Sequence, residues 1–93
     1  MIEKLARPRL ASRVRLRVDR HTGRQILVYP DKGMVLTNAS AEAIAQLCTG
    51  EHTVEAIVER LHAVAGGATR EEVECGVHEF LDALLERALI ELE

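Results

Sequence analysis

Cysteine and histidine are the residues here with the most obvious chemistry, and they fall close together twice: Cys48 with His52, and Cys75 with His78. Thiolate and imidazole are the ligands a structural zinc takes, but neither the order nor the spacing matches a zinc pattern. Gly50 interrupts the first pair, and Cys48 falls on the apolar face of a helical pattern. The two thiols therefore read as reduced and structural, and the histidines as surface residues. The 15 carboxylates offer acid–base chemistry only if some are held out of water beside a nucleophile. Most recur instead on the polar faces of two amphipathic segments, where solvent keeps them ordinary. With no glycine-rich phosphate loop and no nucleophile elbow, the sequence predicts no catalytic residue, no cofactor and no metal, hence no enzyme.

The elements that would position any site are legible in order. Residues 1–12 mix charge around Arg7-Pro8-Arg9 without a period and read as an N-terminal arm, extended and mobile unless something docks it. Arg13 to Val18 alternates strictly, with Val14, Leu16 and Val18 on one face of a strand and three arginines on the other. Asp19 to Gly23 makes a turn, and Ile26–Tyr29 and Met34–Leu36 follow as two more strands. Between them Pro30-Asp31-Lys32-Gly33 reads as a hairpin turn in which the glycine supplies positive φ. Asn38 or Ser40 caps a first helix ending near Cys48, and Gly50 stops it. Thr53 caps a second helix, stopped at Gly66-Gly67. Thr69 and Glu72 form the capping box of a third, whose apolar face is Val73, Val77, Phe80, Leu81, Leu84 and Ala88. Gly76 inside it suggests a close packing contact or a local weakness. The expected fold is α+β and winged-helix-like, a three-stranded antiparallel sheet followed by three helices (βββααα), forming one domain over residues 13–93. No apolar run is long enough to span a bilayer and the N-terminus lacks a signal-peptide pattern, so no membrane contact and a cytoplasmic location are expected.

Charge and composition then decide what such a domain binds. Residues 1–38 carry nine Lys or Arg against three acids, a net of +6, while residues 39–93 carry three against twelve, a net of −9. A last helix presenting Glu71, Glu72, Glu74, Glu79, Asp82 and Glu86 has the wrong sign for a phosphate lattice. Tyr29 and Phe80 are the only aromatics, so base stacking is nearly unavailable. Arg13, Arg15 and Arg17 face solvent or discourage edge pairing. An open sheet edge suits a peptide better, added as a further strand. Hydrogen bonds worth about 0.5–1.5 kcal/mol each barely offset the roughly 1–2 kcal/mol per residue lost in ordering the peptide, so an apolar groove must supply the rest. The long third helix is its natural second wall.

The segments Arg7-Pro8-Arg9-Leu10, Val14 to Asp19, Leu27-Val28-Tyr29-Pro30, Leu36 to Ala41, Leu47-Cys48-Thr49-Gly50, Thr53 to Val58 and Phe80-Leu81, with Ile44, together resemble the PqqD proteins of pyrroloquinoline quinone biosynthesis. Those are prototypes of the domains that recognise precursor peptides of ribosomally made, modified products. The resemblance implies a peptide chaperone without a cofactor of its own. It would bind the precursor peptide PqqA and present it to the radical S-adenosylmethionine enzyme PqqE. It further implies a groove with Met34, Val35, Leu36 and Thr37 on one side and Glu74, Val77, His78 and Leu81 on the other. Asp31 stands where the family usually has Glu, Gly76 where Asp is common, and Ala88 where Gly often ends the third helix, which suggests a longer helix here. The alternatives are a nucleic-acid-binding winged helix and a structural homodimer joined through the free strand edge or the 1–12 arm.

Overall fold

The computed structural model describes residues 2–30, 32–36 and 38–93. Asp31 and Thr37 lie outside the described residues. The chain forms β1 (Pro8–Leu10), β2 (Arg15–Val18), β3 (Gln25–Tyr29), β4 (Lys32–Val35), α1 (Ala39–Gln46), α2 (Val54–Val64), α3 (Arg70–Glu86) and β5 (Ile90–Leu92). The α+β class and the three helices stand. The sheet expectation needs correcting: the antiparallel β2-β3-β4 meander is joined by a second, two-stranded antiparallel sheet of β1 and β5.

That second sheet changes the reading of the N-terminal arm. Arg7 and Glu93 exchange backbone hydrogen bonds of 3.0 Å in both directions, and Ala11 N–H donates to Leu89 at 2.9 Å. By antiparallel alternation the nitrogen of Pro8 then points away from β5, so its missing N–H costs the ladder nothing. Arg9 bridges Glu91 and Glu93, each at 3.0 Å. Nearer the terminus, the carbonyls of Lys4 and Ala6 accept from Glu55 and Val54 N–H at 2.9 Å. Those are donors of the first turn of α2 that the helix itself cannot satisfy. The segment read as an arm, mobile unless something docks it, is docked on its own chain, and Ile2 belongs to the core at 4% exposure.

Local chemistry sets the helix starts. Ala41 N–H donates to Asn38 Oδ1 at 2.8 Å, Ala56 N–H to Thr53 Oγ1 at 3.1 Å, and Thr69 and Glu72 complete the capping box. The hairpin between β3 and β4 is tighter than expected. Tyr29 pairs with Lys32, and Gly33 is a strand residue opposite Val28 without positive φ. Gly23 does take positive φ in the first turn, where Asp19 accepts from His21 N–H and Thr22 Oγ1.

The end of α3 is the other departure, because it closes at Glu86 rather than running on. Ala88 N–H donates to Leu85 O and Leu89 N–H to Leu84 O, the paired bonds of a Schellman turn, with Ala88 at φ 59 in the place glycine favours. Leu84 and Leu89, which such a turn brings together, are both buried. Leu27, Leu36, Ile57, Leu81 and Leu84 anchor the core, which contains no buried charge among the described residues. Cys48 joins it, its thiol donating to Ile44 O at 3.2 Å and pushed up to about 12 by burial, while Cys75 is exposed on α3. No helix among the described residues is long and apolar enough to cross a membrane.

Two measurements check this packing. Ala88→Gly relieves a left-handed Cβ clash worth about 1–2 kcal/mol and gives back about 0.5–1 in unfolded-chain entropy, so stability should rise by about 0.5–1 kcal/mol. Thermal denaturation should show Tm higher by roughly 2–8 °C. With Ellman's reagent near neutral pH, Cys75 should react at once and Cys48 only after denaturant is added, since a buried neutral thiol is not a nucleophile.

Candidate functional site

Antiparallel pairing gives each strand residue one hydrogen-bonding side, and the register decides which side of β4 is free. Leu36 N–H donates to Gln25 O at 2.9 Å, which makes Gln25–Leu36 a hydrogen-bonded pair. Alternation makes Leu27–Met34 another and leaves Ile26–Val35 and Val28–Gly33 as the non-bonded pairs. The N–H and C=O groups of Gly33 and Val35 therefore point away from β3, along an edge that no other strand covers among the described residues. The side chains divide the same way. Met34 packs inward on the core with buried Leu36, whereas Val35 points outward at 54% exposure.

Beyond this edge Asn38 caps α1 and also lines a groove of about 840 Å³ between α1, the end of α2, and α3. Its walls are apolar: Ala39 and Ala43 from α1, Val64 from α2, and Val73, Val77 and Phe80 from α3. Gly76 lies in the middle of the α3 wall, and a Cβ placed on it would meet nothing within 4 Å. It is thus neither a packing contact nor strained; it widens the groove by the volume of a side chain. Glu72 and Glu79 sit on the rim. Arg70, at the start of α3, ties that helix to α2, at 2.7 Å from Glu59 of α2 and 3.0 Å from Glu74 of its own helix. The hydrogen bond to Glu59, followed by the neighbouring carboxylate charges, pushes its pKa upward.

The residues expected on α3 separate onto different faces. Val77 lines the groove floor while being buried, and Leu81 is wholly inside the core. Glu74 and His78 lie on the opposite flank, in a hollow of about 480 Å³ shared with Ile2 to Leu5. On the strand side Leu36 is core, Thr37 is outside the described residues, and Met34 and Val35 take opposite faces. Sequence reasoning leaves Val73 and Phe80 out of the site and meets Gly76 only as a departure from the family pattern. Their signal was present, since Val73 and Phe80 continue the Val77 stripe at helical spacing, but a stripe says which face is apolar and not how much of it a neighbour covers. Among the described residues no group of three or more His, Cys, Asp or Glu is placed to hold a metal ion.

No curated protein matches the chain. Among solved structures, the chain resembles the solution structure of the PqqD truncation of Methylobacterium extorquens PqqCD, described as a functional, stand-alone recognition element for ribosomally synthesised and post-translationally modified peptides. The TM-score is 0.74 at 28% identity, covering 90% of this chain and 87% of the other. The family model for coenzyme PQQ synthesis protein D matches residues 24–90. That span takes in β3, β4 and all three helices, the whole frame of the free edge and the groove, and the chain belongs to the PqqD family.

Proposed function

We propose that this chain is a peptide chaperone: it binds the precursor peptide PqqA and presents it to the radical S-adenosylmethionine enzyme PqqE in pyrroloquinoline quinone biosynthesis. Family membership and the likeness to a recognition element support the class of function. The observation that carries it is an unpaired strand edge at Val35 in a fold that also holds an apolar groove on α3, with Asn38, three residues past Val35, lining that groove.

The peptide adds as a strand beside β4, bonding the outward groups of Gly33 and Val35. Two residues of edge offer at most four hydrogen bonds of about 0.5–1.5 kcal/mol, which ordering the peptide backbone consumes. A bulky apolar side chain entering the groove over Gly76 adds about 1.5–3 kcal/mol. Affinity therefore resides mainly in the groove, and strand pairing sets register and direction. In this assignment Val73, Gly76 and Phe80 contact the peptide, Leu36, Val77 and Leu81 hold the two walls from behind, and Glu74 and His78 serve the flank beside Ile2–Leu5. Binding and presentation require no catalytic group and no cofactor.

Two substitutions separate the halves of the site. Val35→Pro removes an outward N–H and no ladder bond, so circular dichroism should be unchanged while isothermal titration with PqqA shows at least tenfold weaker binding. Gly76→Leu should raise stability by about 0.5–1 kcal/mol through helix propensity while lowering PqqA affinity at least tenfold by filling the groove. Absence of heat with the unmodified chain at micromolar PqqA contradicts the proposal.

A further inference from the structure

The alternating arginines of β2 have no part in peptide capture as described. Register places them on the face of the sheet turned away from the helices. Arg17 pairs with Ile26, which pairs with Val35; Arg15 pairs with Val28, which pairs with Gly33. The intervening row, Leu16–Leu27–Met34, faces the core. The outer face thus carries half-buried Ile26 and Val28 and exposed Val35 beside two exposed arginines, and the three helices leave it uncovered. Arg15 donates back to Ser12 O and Val14 O, but Arg17 has no ion-pair partner among the described residues, in a chain whose formal net charge is −3. Carboxylates abound on the helices, and among the described residues none pairs with Arg15 or Arg17.

From this we infer that the outer face of β2-β3-β4 is a second docking surface, fitted to an acidic, partly apolar patch on the enzyme that receives the peptide. It rests on the reading that the chain hands its peptide on. The sheet explains why this face serves delivery. A peptide added beside β4 extends the same pleated surface, so alternate peptide side chains emerge in line with Val35, Ile26 and Arg17. An enzyme seated on the face meets the sheet and the peptide together, and the peptide's other side chains stay in the groove. Charge complementarity orients the encounter and makes it salt-dependent.

The test uses the full chain, purified PqqE and PqqA, with affinities measured separately for peptide and enzyme. Arg15→Glu/Arg17→Glu should weaken enzyme binding at least tenfold and leave PqqA affinity within about twofold, with Arg17→Glu alone intermediate and Arg17→Lys close to unmodified. Enzyme binding by the unmodified chain should also weaken as salt rises from about 50 to 300 mM. Enzyme affinity unchanged in the double variant overturns the inference, as does no enzyme binding by a chain that binds PqqA. Binding of a mixed-sequence DNA duplex that the double variant abolishes also overturns it, by assigning the face to nucleic acid. Failure of PqqA itself to bind would instead count against the function proposed above.

Discussion

Helices cover only one face of the β2-β3-β4 sheet, and this constraint shapes the rest of the molecule. Leu27 and Leu36 point into a core shared with Ile57, Leu81 and Leu84, all essentially inaccessible to solvent. Fixing those two side chains fixes the register of β3 and β4, since a slip of one residue would turn every core side chain to water. The same register decides which backbone groups of β4 meet β3 and which meet solvent. The open edge at Val35 is thus the far side of the packing that buries Leu36, and strand and core cannot be altered independently.

The termini settle which flank of α3 remains open. Ala88 reverses the chain after α3, β5 pairs with β1, and the N-terminal segment crosses the first turn of α2, so that Ile2 to Leu5 lie beside Glu74 and His78. That occupies one side of α3. The other keeps Val73, Gly76 and Phe80 facing a groove bounded by α1, whose cap Asn38 lies three residues past Val35. The free edge at Val35 and the groove wall at Asn38 are therefore only three residues apart along the chain.

Much of this was legible in the residues wherever the determining chemistry is local. Asn38 or Ser40, Thr53 and the Thr69–Glu72 pair announce three helix starts, and alternation around Leu16 and the turn at Gly23 announce the meander. What escaped is non-local. The β1–β5 pairing joins Arg9 to Glu91 across 82 positions, and strands of three residues are too short to show a period. Gly33 looked like a turn residue because its neighbours are Pro30 and Asp31, yet pairing of Tyr29 with Lys32 draws it into the strand. For the site, helical spacing identified the apolar stripe of α3 but not its uncovered width, so the expected groove takes in Leu81, which is core, and leaves out Val73 and Phe80 of the same stripe.

Amide hydrogen exchange at Val35 tests the central claim most directly, because it reads the edge itself. In the free chain Val35 N–H should exchange fast and Leu36 N–H, already bonded to Gln25 O, slowly. At saturating PqqA the exchange of Val35 should slow by at least tenfold, with Gly33 following and Leu36 little changed. Fast exchange at Val35 in a chain saturated with peptide would contradict strand addition at β4.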